Sequence, residues 1–414
     1  MGYLMKLAYK NLARHKLRTA VSVAAVAFSV MIVVFARGYV MGLIEDASAA
    51  DIQYNTGHIR IIDRDYRLKE RMYSLNHPVE NLSGMVNELE KTDGVEMVVP
   101  RLKFGAMSGT GDELVEMIGW GVRPEKESEF TRIGNMLAEG RMIENGRPEI
   151  LMGTALLAKL DRKVGDRVTI MYNTAFQSLQ ATTFTIAGRI ESNFKMLNEV
   201  AFYLPLDQAQ TLLYMDDQAT EILLAAPSMD NTEKLLPVVE EQLGGWGNGH
   251  KYLAVPWYES GALVEFMIVA QNIYDFIYVF LVILAAIVVI NTMVMIVAER
   301  TKEIGMMSAL GLDNRDILKL FVMEGAVMSI IGSFLGAGLG GITTKIFSKT
   351  GIDFGEALSG FSENIMVGNV IYFHHSFGNM VYAFIMGIVV VTLACIIPAR
   401  RAARLNPTEA LRKI

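Results

Sequence analysis

"AERTKEIGMMSALGLDNRDI", Ala298 to Ile317, decides how the rest of this chain is read. It holds three basic residues, four acidic residues and two glycines, yet it divides two long apolar runs, Ile273 to Val297 and Phe321 to Ile346. Each run is long enough to cross a hydrocarbon core, which takes about 20 residues of helix. A charged segment this short between two such runs is a turn at a membrane surface. Glu299 to Leu310 suits a short amphipathic helix stopped at Gly311, projecting Ile304, Met307 and Leu310 from one face. Such a helix is shaped to dock; the alternative is a solvated turn whose charges only set topology.

Two further apolar runs, Thr19 to Tyr39 and Met380 to Ile397, bring the candidate spans to four. The chain has 414 residues, is 52% hydrophobic and has a mean hydropathy of +0.31. That is too apolar for an ordinary soluble protein and too charged for a wholly buried one, so a membrane part and an aqueous part are expected. "ASA" at Ala47 to Ala49 resembles a signal cleavage site. The apolar core before it is longer than a secretory signal needs, and Glu45 and Asp46 intervene, so the first run is expected to be retained. The single cysteine, Cys395, lies inside an apolar run and reads as a packing residue that cannot form an intrachain disulfide.

Basic residues set the orientation. Lys6, Lys10, Arg14, Lys16 and Arg18 precede the first span; Arg300, Lys302, Arg315 and Lys319 lie between the second and third; Arg400, Arg401, Arg404, Arg412 and Lys413 follow the fourth. All three segments, and both termini, are therefore expected on the cytoplasmic side. The segment from Glu45 to Ala262 then lies outside, with a net charge of −12 against +6 for the remainder. This asymmetry suits a membrane protein and offers nothing to nucleic acid.

The outer segment reads as a folded α+β domain. Gly57–Asp63, Val95–Phe104, Glu113–Val122, Asp166–Thr174, Thr182–Ile190 and Glu199–Leu204 have the β-branched and aromatic content of strands. Asn81–Gly94, Gly153–Leu160, Leu206–Met215 and Asn231–Gly245 carry apolar residues at helical spacing. Alternation of the two gives the fold class.

Catalytic signals are absent. No Gly-Lys dipeptide supports a phosphate-binding loop, and there is no H-E-x-x-H or Cys/His cluster. The adjacent His374 and His375 read as an exposed polar pair, so neither a metal nor a catalytic residue is expected. Within the spans, Gly332, Gly336 and Gly340 recur every four residues and allow close helix packing, in this chain or against a second. Arg37 is expected to snorkel outward, and Asn291 to bond a neighbouring helix.

Four stretches together resemble a known family: "NLARHKLRTAVS" (Asn11–Ser22), "ERTKEIGMMSALGLDNRDI" (Glu299–Ile317), "GSFLGAGLGG" (Gly332–Gly341) and "PARRAARLNPTEALR" (Pro398–Arg412). They look like the ABC transporter permeases of the MacB, LolC/LolE and FtsX superfamily. The resemblance covers essentially the whole chain. It implies a four-helix transmembrane domain with a large extracytoplasmic MacB-like core domain between spans one and two, in the bacterial inner membrane. The segments would be 1–44 (an amphipathic surface helix and span one), 45–265 (outer domain), 266–346 (spans two and three), 347–379 (a short outer loop) and 380–414 (span four and tail).

In that family the loop after span two, residues 299–317 here, is a coupling helix seated on a separate ATPase. The resemblance thus implies that Glu299, Arg300, Glu303, Ile304, Gly305, Leu310 and Gly311 meet a LolD-like ATP-binding subunit, with ATP and magnesium held by that partner and no cofactor here. It also implies a second permease subunit, related or identical. The run Pro148–Ile190 followed by Glu199–Leu213 looks most like the outer domain of LolC or LolE, which release lipoproteins. MacB-like efflux and FtsX-like signalling are the alternatives. In LolC a protruding hairpin binds the periplasmic lipoprotein carrier; the matching Tyr172–Thr182 here is short and has no proline, which leaves the carrier open as a partner. For a lipoprotein cargo, Met31, Val34, Phe35, Met267, Ile268 and Tyr274 on the outer halves of spans one and two are the expected surface for acyl chains and membrane lipid.

Overall fold

The computed structural model describes residues 16–110, 113–192, 195–246, 251–260, 262–353 and 370–405. Helix α1 (Lys16–Asp51) runs through a π-helical turn, Ile52–Thr56, into β1 (Ile59–Asp63) and α2 (Arg64–Lys69). Then come α3 (Leu82–Leu89), β2 (Met97–Thr110), β3 (Glu113–Val122), α4 (Pro124–Thr131), β4 (Leu137–Gly140), β5 (Glu149–Gly153) and α5 (Thr154–Leu160). The hairpin β6 (Arg167–Asn173) and β7 (Leu179–Ile190) is followed by α6 (Lys195–Glu199), β8 (Ala201–Pro205), α7 (Leu206–Leu213), β9 (Glu221–Ala225), α8 (Thr232–Leu243) and β10 (Tyr252–Pro256). The long α9 (Ala262–Glu299), short α10 (Thr301–Ala309), long α11 (Asn314–Thr350), the pair β11 (Ile352–Asp353) and β12 (Val370–Ile371), and α12 (Phe377–Ala403) complete the chain. Residues 16–45, 266–353 and 370–405 make one compact unit, and the described residues of 46–265 make another.

In the second unit a ten-stranded mixed sheet runs β10-β1-β9-β2-β3-β8-β5-β7-β4, with β6 bridging β2 and β7. Among the described residues only β3 with β8 and β5 with β7 are parallel. "AFYLP" in β8, buried on both faces, is a continuous apolar run, and "IRIID" in β1 is buried throughout although it carries Arg60 and Asp63, whereas β6 alternates buried and exposed residues. One face of the sheet packs Leu102, Phe104, Leu156, Phe184 and Phe202 with the short helices; the other packs Trp120, Leu151, Ile190 and Tyr203. Local chemistry places the helix ends. Pro124 opens α4, and Asp63 accepts a hydrogen bond from the Asp65 amide to cap α2.

The sheet also buries charge. Glu221, 1% exposed, lies between Lys103 (2.8 Å) and Arg60 (3.4 Å), while the fully buried Arg101 pairs with Glu127 (2.7 Å) and donates to the Tyr54 carbonyl (2.9 Å). Burial alone would raise the Glu221 carboxyl, but Lys103, Arg60 and Arg101 outweigh it and hold it below the usual carboxylate range.

In the first unit α1, α9, α11 and α12 are each long and apolar enough to cross a membrane. α9 is apolar all round except at its ends and a few polar positions, as a helix in lipid must be. The glycines of α11 are contact points: a Cβ on Gly332 would lie 2.8 Å from Val26 Cβ, on Gly336 2.3 Å from the Ala27 carbonyl oxygen, and on Gly340 2.7 Å from Val34 Cβ. All three therefore receive α1 of the same chain, and the backbones meet because no side chain intervenes.

Candidate functional site

α9 ends where Arg300 leaves helical geometry, and α10 begins one residue later. Gly311, at φ +92°, ends the segment: the Gly311 and Leu312 amides donate to the Ser308 and Met307 carbonyls. Between these points α10 is fastened to its own chain. Ile304, 1% exposed, and Gly305 are buried, Ile304 in a core with Val297, Ile317, Phe321 and Ala399. The Arg300 guanidinium reaches Glu303 (2.8 Å) and Glu324 (3.3 Å), the latter buried in α11. Glu299 pairs with Arg18 of α1.

The arrangement corrects the expected direction of projection. Ile304 and Met307 were expected on a shared outward face with Leu310, but Ile304 is buried and Met307 packs against the same core. The apolar stripe of α10 is used to seat it, as amphipathic stripes in globular folds are. What faces outward is Leu310, 87% exposed, with Met306 at 51% and Leu312 at 37%, beside exposed Lys302, Gly311 and Arg315. Met306 and Leu312 were missed. The i+2 offset of Met306 from Ile304 puts it on the opposite side of the helix and was the available signal.

The candidate lipid-facing residues do not share one surface. Val34 is 1% exposed, packed against Gly340, and Phe35 sits in a ring cluster with Phe347 and Phe373 at 5.9 and 4.8 Å. Both were expected outward, and close packing of α1 on α11 takes them in. Met31 is half-buried, and Tyr274, 37% exposed, stacks on Tyr278. The side chains of Met267 and Ile268 lie outside the described residues, as does the N-terminal surface segment up to residue 15.

α1 and α9 are joined by polar contacts along their length. Ser22 Oγ donates to Thr292 Oγ1 (2.7 Å) and Ser29 Oγ to the Leu281 carbonyl (2.9 Å). Arg37 pairs with Asp275 (2.6 Å), donates to Asn379 (3.0 Å) and lies 4.1 Å over the Tyr382 ring. It thus ties α1 to two other helices, α9 and α12, rather than snorkelling as a free cation. Asn291 departs from expectation in the other direction: it is exposed, and no described residue hydrogen-bonds its amide. The two neighbouring histidines diverge, His374 to Glu45 (2.6 Å) and His375 to Thr344 (3.1 Å). Asp63, Asp65 and His77 do converge, but Asp63 is occupied in capping α2 and Lys69 lies 3.3 Å from the His77 ring.

Known proteins match both units. Residues 19–241 fit the MacB-like periplasmic core domain and residues 276–407 the FtsX-like permease C-terminal region. The lipoprotein-releasing system transmembrane protein LolC of Xylella fastidiosa is 23% identical over 305 residues, covering 70% of this chain and 72% of its own. The macrolide export ATP-binding/permease protein MacB of Bdellovibrio bacteriovorus is 38% identical over 124 residues, covering 30% of this chain and 16% of its own. The crystallised periplasmic region of MacB from Actinobacillus actinomycetemcomitans overlaps 50% of this chain and 92% of its own, at 13% identity and a TM-score of 0.37. With four span-capable helices joined to a MacB-like core, this multi-pass membrane protein belongs to the ABC transporter permeases of the LolC/LolE and MacB family.

Proposed function

We propose that this chain is the non-catalytic permease that couples ATP hydrolysis, in a separate LolD-like subunit holding ATP and magnesium, to extraction of lipoproteins from the outer leaflet of a bacterial inner membrane. The observation that carries the coupling is the mounting of α10. Arg300, Glu324 and Ile304 fix the helix to α11 and the bundle core, so a push on its outward tip, Met306, Leu310 and Leu312, is transmitted to the spans and not absorbed by a loop. The orientation with α10 and both termini in the cytoplasm follows from the basic residues flanking the spans. Lipoprotein cargo is supported by the name and the extent of match of LolC. MacB-like export is the second reading, favoured by the higher identity over the shorter match to MacB. A second permease, identical or related, completes either transporter.

The test is Leu310→Asp in the full chain, co-expressed with a LolD-like ATPase from the same cell. Leu310 is exposed and outside the bundle core, so the variant is expected to insert normally, retain at most about a tenth of the co-purifying ATPase and lose stimulated hydrolysis. Undiminished co-purification would remove α10 as the docking element. Release of a radiolabelled acylated protein from spheroplasts by the wild-type complex, against export of a macrolide, separates the two cargo readings.

A further inference from the structure

A cluster of polar groups joins α1, α9 and α12 far from the basic flanks of the spans. Arg37 pairs with Asp275 (2.6 Å), and its Nε donates to Asn379 Oδ1 (3.0 Å). The Tyr278 hydroxyl lies within electrostatic reach of Arg37, Asp275 and Tyr382. Two atoms of this cluster are buried without a hydrogen-bond partner among the described residues: the Tyr278 hydroxyl, on a side chain 2% exposed, and Asn379 Nδ2. Both can donate, and an unpaired donor beside hydrocarbon is costly. The Arg18–Glu299 pair, at the basic ends of α1 and α9, gives the depth. Arg37 and Tyr278 stand about 30 Å from it along their helices, the thickness of a hydrocarbon core. The cluster is therefore at the opposite boundary of that core, where the chains of a diacyl lipid meet its headgroup through glyceryl esters.

The charges narrow the choice of ligand. Asp275 already neutralises Arg37, so within the cluster a phosphate meets no free cation and an ammonium no free carboxylate. What remains is a pair of neutral donors, which suit a neutral acceptor. At this depth the ester carbonyl is that acceptor. Tyr274, one helical turn farther from Glu299, stacks on the Tyr278 ring and at 37% exposed is the lipid-facing member of the pair. We propose that the Tyr278 hydroxyl and the Asn379 amide bind the glyceryl ester carbonyl of a diacyl lipid, admitted when Tyr274 turns aside. The ester is common to a phospholipid and to an acylated protein, so the site recognises the linkage and not a charged headgroup.

The test uses the full chain in mild detergent, native mass spectrometry and two probes, dioleoyl phosphatidylethanolamine and its diether analogue, which has the same headgroup and no carbonyl. The wild type is expected to retain the ester lipid about fivefold better than the ether lipid, the worth of one ordinary hydrogen bond. Tyr278→Phe keeps the ring and removes the donor, and is expected to lose most of that preference. It should melt no lower than the wild type in lipid-free detergent, because the hydroxyl has no partner to forfeit. Equal retention of both lipids by the wild type overturns the proposal, as does an undiminished preference in Tyr278→Phe. A lower melting temperature for the variant also overturns it, since the hydroxyl would then be held within the protein. A triacylated lipopeptide, which carries the same glyceryl esters, separates the sources: displacement of the phospholipid makes an acylated protein the occupant, and retention makes it a membrane lipid. Neither ATP nor the ATPase is involved, so a failure here is separable from a failure of the transport reading.

Discussion

Glu221 is the residue on which the sheet of the α/β unit is electrically balanced, since Lys103, Arg60 and Arg101 are all buried around it or near it. Its carboxyl ionises more readily folded than unfolded. Its stabilising contribution is therefore complete above about pH 4.3, the unfolded value, and is lost as pH falls through the lower folded value. Glu221→Gln is expected to destabilise the full chain by about 3–5 kcal/mol near neutral pH, because the buried cations lose their counter-charge. It should also flatten the acid limb of melting temperature against pH. An acid limb as steep as in the wild type would show that other carboxylates carry it. None of this was legible beforehand: Arg60, Lys103 and Glu221 are far apart in sequence, and each reads as a surface residue until β1, β2 and β9 are placed side by side.

Among the elements, α11 shows how far a local pattern reaches. Four-residue glycine spacing marked a close helix contact, and its partner, α1, is a matter of tertiary packing. Gly336→Leu would drive a side chain into the Ala27 carbonyl, a backbone atom that cannot swing aside. A cost of about 3 kcal/mol or more is expected, read as a lower melting temperature and a smaller inserted fraction. Gly338→Leu, where a Cβ meets nothing within 4 Å, should be nearly neutral. Equal losses at both positions would mean that the helix, not the α1 contact, sets the requirement for glycine. Short or twisted strands were less readable. β4, β5, β9 and β10, of four or five residues, were missed because so few positions register no period; β1 and β8, equally short, were found from their β-branched and aromatic content, as were the longer β3 and β7.

For the whole molecule, the basic flanks predict that the sheet unit and α10 face opposite sides of the membrane. Single cysteines at Glu129 and Asn314, both exposed, in a Cys395→Ala chain check this with an impermeant thiol reagent on sealed cells. Modification of Glu129→Cys alone is expected, and equal modification of both would overturn the topology. The four spans, the inserted sheet domain and the short charged helix were determined by the sequence itself. Bilayer thickness fixes span length, and water and lipid sort residues with little help from the rest of the fold. Which way each side chain on the spans turns was decided by tertiary structure alone. Val34 went inward and Asn291 outward because rotation of an all-apolar helix is set by the shapes it packs against, for which hydropathy along the chain carries no signal.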